Sequence, residues 1–195
     1  MKTNSEIRSM ACDSLRGNWS MPVLSTLLIL LISGTTAIPF GGFIALIFLY
    51  IPICYSLIQA YLMFIRGDKD NLISKMFDCF NDYGRALGVS LLQALYIILW
   101  TLLLFVPGVI KSYSYSQAFF IALDKPELRP EDCINESMQM MNGYKMKLFL
   151  LDLSFIGWWL LSILSLGIGF LWLLPYIYTS HSHFYEELKA ETTNQ

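Results

Sequence analysis

Asp152 is the only carboxylate set well inside one of the long apolar stretches of this 195-residue sequence, and an acid in such a place is where proton or substrate chemistry is sought first. It lies five residues beyond Lys147, about 7.5 Å along a helix, so an interfacial or hydrogen-bonded structural carboxylate is the competing reading. The positions three and four residues away hold Leu148, Phe149, Phe155 and Ile156. A partner for Asp152 must come from another element.

A polar pattern recurs three times, in residues 55–61, 113–119 and 178–184. Each has a Tyr, then Ser or Thr, two variable residues, a polar residue, a small residue or His, and an aromatic. On a helix a residue and the one four later share a face. Tyr55 with Gln59, Tyr113 with Gln117, and Tyr178 with Ser182 therefore form matching stripes. Hydroxyls and amides turned to lipid would go unsatisfied. The stripes either hydrogen-bond helix to helix or line a cavity around a pseudo-threefold axis, and the spacing leaves both open.

Other chemistry finds little support. His183 and Glu187 have a spacing that could share a metal, yet two ligands are few, and a hydrated end to the last helix accounts for them equally well. No C-x-x-C pair is present, and Gly167-Ile168-Gly169 lacks the third glycine of a nucleotide loop. There is no serine-histidine-acid set, zincin helix or phosphate loop. The expectation is a protein that is not an enzyme and takes no cofactor and no metal.

The elements that would position these residues are set by composition. The chain is 55% apolar and 14% charged, with 13 Lys+Arg against 15 Asp+Glu and a mean hydropathy of +0.53. That excludes a disordered chain, a nucleic-acid binder and a disulfide scaffold, and makes the bilayer the expected solvent. Residues 21–65 carry no charge, 87–123 only Lys111, and 146–180 only Lys147 and Asp152. A crossing takes about 20 apolar residues. Each zone is long enough for two, and each is interrupted by helix breakers at 38–42, 106–108 or 166–169. The fold class expected is all-α: a polytopic bundle of six transmembrane helices in three hairpins. A signal peptide cleaved near Thr35-Thr36-Ala37 is the alternative for the first apolar run, but the polar segment before Met21 is long and a second apolar helix follows.

Of the 13 Lys and Arg, 12 fall outside the hairpins and on one side of them; only Lys111 lies near a hairpin tip, where its stem could reach the outer interface. Both termini are then cytoplasmic. Cys12, Cys79 and Cys133 face a reducing compartment and Cys54 lies in a span, so no disulfide is expected. Before each hairpin, apolar residues recur at helical spacing: Ile7, Ala11, Leu15 and Trp19; then Leu72, Ile73, Met76, Phe77, Phe80, Tyr83 and Leu87; then Ile134, Met138, Met141, Tyr144 and Leu148. These read as amphipathic helices lying on the cytoplasmic membrane surface, apolar face toward lipid.

Each ends in a glycine, an aromatic and a base: Arg16, Gly17 and Trp19; Tyr83, Gly84 and Arg85; Gly143, Tyr144 and Lys145. The aromatics are 64 and 61 residues apart. The chain is thus one membrane domain, 1–195, of three parallel repeats, about 1–66, 67–128 and 129–195. Trp19, Tyr83, Arg85, Tyr144 and Lys145 are the expected interfacial anchors, the bases toward anionic lipid.

From Leu87 onward the motifs are distinctive: residues 105–114, Ser137-Met138 with 141–145, 153–158, and Gly167-Ile168-Gly169 with Pro175-Tyr176. They resemble the bacterial integral-membrane family catalogued as domain of unknown function 975, over nearly the whole chain. A more distant likeness is to the membrane domain joined to some glycerophosphodiester phosphodiesterases. The resemblance implies a bacterial plasma-membrane protein and carries no catalytic residues. Two functions are expected: a non-enzymatic scaffold or accessory subunit, whose partners are the lipid bilayer and a membrane protein or second copy, or a small-solute or lipid transporter using the stripes and Asp152.

Overall fold

The computed structural model describes residues 1–35, 42, 50–69, 71–78 and 83–193, and every regular element among them is helical. The helices are α1 (Asn4–Leu15), α2 (Ser20–Thr35), α3 (Ile51–Ile65), α4 (Leu72–Lys75), α5 (Tyr83–Leu103), α6 (Phe105–Tyr115), α7 (Ala118–Asp124), α8 (Pro130–Met140), α9 (Lys145–Leu153), α10 (Ile156–Leu164) and α11 (Phe170–Thr193). The expected first hairpin turn, at 38–42, lies outside the described residues apart from Gly42, as do Cys79 and Phe80.

α1 starts on a capping box in which Thr3 Oγ1 accepts from the Glu6 N–H and the Glu6 carboxylate accepts from the Thr3 N–H at 2.7 Å. It ends at Gly17, whose φ of +78° lets the chain turn. α1 and the helix after it, Ser20–Gly34, are bent by 98°. Gly143 plays the same role before α9 with φ +83°. Gly84 does not: it lies inside α5, so the second glycine of the predicted cluster makes no bend.

The predicted amphipathic faces exist but turn inward. Ile7, Ala11 and Leu15 on α1 are fully buried, as are Cys133, Ile134 and Ser137 on α8. α1 lies across α11, and α8 packs on α5, α6 and α7. These faces therefore meet protein instead of lipid, because the bundle offers them apolar helix walls. Of the predicted second amphipathic helix, α4 and the turn at Met76 are described, with Leu72 and Met76 fully buried and Phe77 exposed.

Among the described residues two helical stretches are long and apolar enough to cross a membrane by length and composition: α5, and Lys145–Leu164, which comprises α9 and α10. The bent pair of α1 and Ser20–Gly34 adds a third by length and composition. α3 is apolar but shorter. The segment after α5 is broken at Ser116 and Gln117, between α6 and α7. Their outer ends carry a broad apolar belt, with Leu102 79% and Leu164 80% exposed. A contiguous exposed apolar surface of this kind marks contact with lipid or protein, not water.

The second hairpin does not turn at Val106-Pro107-Gly108 as the helix breakers suggested. The chain reverses at Leu104, φ −160° and ψ 135°, and the three residues form the first turn of α6, where a proline lacks no partner. Gly108 serves close approach: a Cβ there would lie 2.8 Å from the Cα of Thr101. Gly169 stands the same way to Ser162, also 2.8 Å from its Cα. Both pairs are seven residues apart, and the second is the first displaced by 61, the same interval that separates Tyr83 and Tyr144. Gly108→Ala and Gly169→Ala should each destabilise by about 1–3 kcal/mol, since backbone must move. Thermal unfolding in detergent checks this; Gly34→Ala, where a Cβ meets open space, is the control and should change little.

Candidate functional site

The three stripe tyrosines each pack against an aromatic ring of another helix. Tyr55, buried on α3, packs edge-on against Phe119 at 5.6 Å between ring centroids. Tyr178 on α11 stacks on Tyr61 at 5.3 Å. Tyr113 on α6 packs edge-on against Phe149 of α9 at 5.8 Å. Each tyrosine thus meets a ring from another repeat, apolar body inward. Ser182 Oγ donates to the Tyr178 carbonyl within its own helix at 3.0 Å, and Gln59 is half-buried on α3.

Gln117 marks the break between α6 and α7. Its N–H donates to Ser137 Oγ of α8 at 3.1 Å, and Ser137 Oγ donates to the Ser114 carbonyl at 2.8 Å. A hydroxyl from the next repeat thus satisfies both the donor and the acceptor freed by the broken helix. The Gln117 Nε2 reaches only Ser116 Oγ, 2.9 Å away, and its buried Oε1 finds no donor among the described residues. Ser137→Ala should therefore cost about 1–3 kcal/mol by stranding two backbone groups. Gln117→Leu should be near neutral, because it removes an unsatisfied carbonyl; unfolding midpoints of the two variants test the contrast.

Asp152 has its partner from another element. Its Oδ1 lies 2.7 Å from His181 Nε2 of α11, both side chains about a third exposed. The Tyr113 hydroxyl is within electrostatic range of the same carboxylate. Among the residues singled out by sequence, Tyr113 and Asp152 are brought together, and His181 joins them. His183 and Glu187 are engaged elsewhere: His183 Nε2 lies 2.9 Å from Ser14 Oγ, and Glu187 accepts from Lys2 at 2.7 Å.

The most connected polar centre escaped the sequence reading. Asp124 ends α7 and receives a two-pronged hydrogen bond from Arg66, 2.8 Å on each oxygen. Its Oδ2 also accepts from Lys189 at 2.6 Å and from the Tyr185 hydroxyl at 3.0 Å. Arg66 Nε donates to Glu186 at 2.7 Å. Burial pushes the Asp124 carboxyl up, but the hydrogen bonds from Arg66 and Lys189 outweigh it and hold the group at about 2. Arg66, Asp124 and Lys189 each stand 11 residues beyond the tyrosine of a stripe. On the threefold alignment read from the sequence they share one position, with signs plus, minus, plus. Extending the repeat alignment by two turns was the signal that could have found them.

The predicted anchors divide. Trp19, Tyr83, Tyr144 and Lys145 are half-buried at their helix ends. Arg85 is turned to its own chain, donating to the carbonyls of Lys125 (3.1 Å), Pro126 and Leu128 and so capping the end of α7. Lys111 packs on neighbouring side chains: its ammonium sits 4.9 Å from the ring of Trp100 and 3.9 Å from Met138 Sδ of α8. Cys12, Cys54 and Cys133 are free thiols.

A family model described as Protein of unknown function (DUF975) matches residues 1–112 and 102–192. No curated protein and no solved structure matches the chain.

Proposed function

The chain therefore belongs to the DUF975 family of proteins of unknown function, and on that premise we propose that it is a non-enzymatic integral membrane scaffold or accessory subunit, six-spanning, with both termini in the cytoplasm. Distances along the helices support the crossings. α5 has 21 residues and Lys145–Leu164 has 20, about 30 Å each. On α11 the run from Phe170 to His183, where α1 crosses through Ser14, is 13 residues, about 20 Å, with the turn at Leu166 beyond it. The segments 105–123 and α2 with α3 supply the remaining passes, with breaks that neighbouring helices satisfy.

Charge placement supports the orientation. The ion pairs of Arg66, Asp124 and Lys189, of Lys2 with Glu187, of Lys125 with Glu136, and of the Met1 amine with Glu191 gather at the end opposite the tips at Leu104 and Leu166. Positive residues on one side read as cytoplasmic.

The observation that carries the scaffold reading is that each stripe tyrosine is packed on a ring of another repeat. Polar groups in the bundle then join helices. A transporter is favoured by one observation, the half-exposed Asp152 and His181 pair beside Tyr113. Flux assays in sealed liposomes over a broad panel of ions, small solutes and fluorescent lipids separate the two. The scaffold reading expects no flux above protein-free vesicles; transport that Asp152→Asn abolishes would overturn it.

A further inference from the structure

A groove of about 550 Å³ runs along the apolar belt between the α1–α2 corner and the α10–α11 hairpin, within the range of about 300–1,000 Å³ usual for small-ligand sites. Its walls are apolar and aromatic: Trp19 at the corner, Trp158 on α10, Trp172 and Tyr176 on α11, with Ser165 at the tip end and Cys12 at the inner end. Arg8 lies one helical turn before Cys12, and the Tyr176 hydroxyl is within its electrostatic range.

Arg8 differs from the other arginines. Arg16, Arg66 and Arg129 pair with carboxylates and Arg85 with carbonyls. Arg8 is half-buried and its Nε, shielded from solvent, meets no acceptor among the described residues. A guanidinium N–H shielded from water without an acceptor is costly. In a protein whose groove opens to lipid, the anion at hand is a phosphate at the inner headgroup level.

We propose that this groove seats one acyl chain of an anionic membrane phospholipid whose phosphate is bound by Arg8. The aromatic walls hold the chain by dispersion contacts and the guanidinium fork recognises the phosphate. The site rests on the membrane reading above, but not on the choice between scaffold and transporter. Phosphatidylcholine also presents a phosphate, but its choline cation offsets the charge, so the site prefers a headgroup of net negative charge.

The test uses the full chain with Trp100→Phe and Trp159→Phe, which leaves Trp19, Trp158 and Trp172 as reporters. The protein is placed in phosphatidylcholine nanodiscs containing a minor share of lipid with brominated chains, either phosphatidylglycerol or phosphatidylcholine. Brominated phosphatidylglycerol should quench at about fivefold lower mole fraction, the size expected for one basic residue facing a net negative headgroup. Arg8→Gln should remove that preference, Arg8→Lys should keep part of it, and Arg16→Gln should leave it unchanged. Equal quenching by both lipids, or a preference that survives Arg8→Gln, overturns the site while the membrane reading stands. No quenching by either lipid overturns both. A second protein chain occupying the groove, seen as a dimer mass with unquenched tryptophans, also overturns the proposal.

Discussion

Asp124→Asn should destabilise the protein by about 3 kcal/mol, read as the loss of unfolding free energy in detergent. That is the lower end of the range for breaking a buried ion pair, because Arg66 and Lys189 keep about a third or more of their side chains in water while Asp124 is 10% exposed. The substitution leaves two cations and the Tyr185 hydroxyl around a neutral amide. Its effect exceeds that of any peripheral pair, since Asp124 ties the ends of α3, α7 and α11 together. The pH dependence has a definite sign. Asp124 is held at about 2 in the folded protein, below an unperturbed value of about 3.9. Its contribution is complete above pH 4 and is lost as pH falls toward 2. The wild type should lose stability through that window, and Asp124→Asn should show a flatter acid limb.

Tyr61→Ala should cost about 3–5 kcal/mol, the range for removing a large buried aromatic. Tyr61 is fully buried, stacked on Tyr178 and near Phe64, with its hydroxyl 3.2 Å from Ser25 Oγ. In lipid the loss is of packing contacts instead of water exclusion, so the void left by the ring sets most of the cost. Tyr61→Phe keeps the ring and should cost about 1 kcal/mol. A Tyr61→Ala variant as stable as wild type would mean that α2, α3 and α11 do not meet as described.

The helices were legible because hydropathy survives in the sequence whatever the packing. The fate of amphipathic faces was not. Ile7, Ala11 and Leu15, or Cys133 and Ile134, make the same pattern whether they meet lipid or a neighbouring helix, and only the fold decides for protein. Pro107 and Gly108 read as a turn because breakers end helices more often than they begin them, whereas here they open α6 and let Thr101 come close. Asp152 needed a partner that no local spacing could name, and His181 is 29 residues away. The Arg66, Asp124 and Lys189 centre was hidden by its own chemistry: three copies of one position carry opposite charges, so identity fails where complementarity holds.

Single-cysteine labelling tests the central account most directly, on a background in which Cys12, Cys54, Cys79 and Cys133 are replaced by serine. A membrane-impermeant maleimide applied to intact cells should label Leu104→Cys and Leu166→Cys. Lys75→Cys and Lys145→Cys should react only after the membrane is opened. Labelling of Lys75→Cys and Lys145→Cys from opposite faces, or of a tip and a lysine position from the same face, would contradict three parallel hairpins crossing one bilayer.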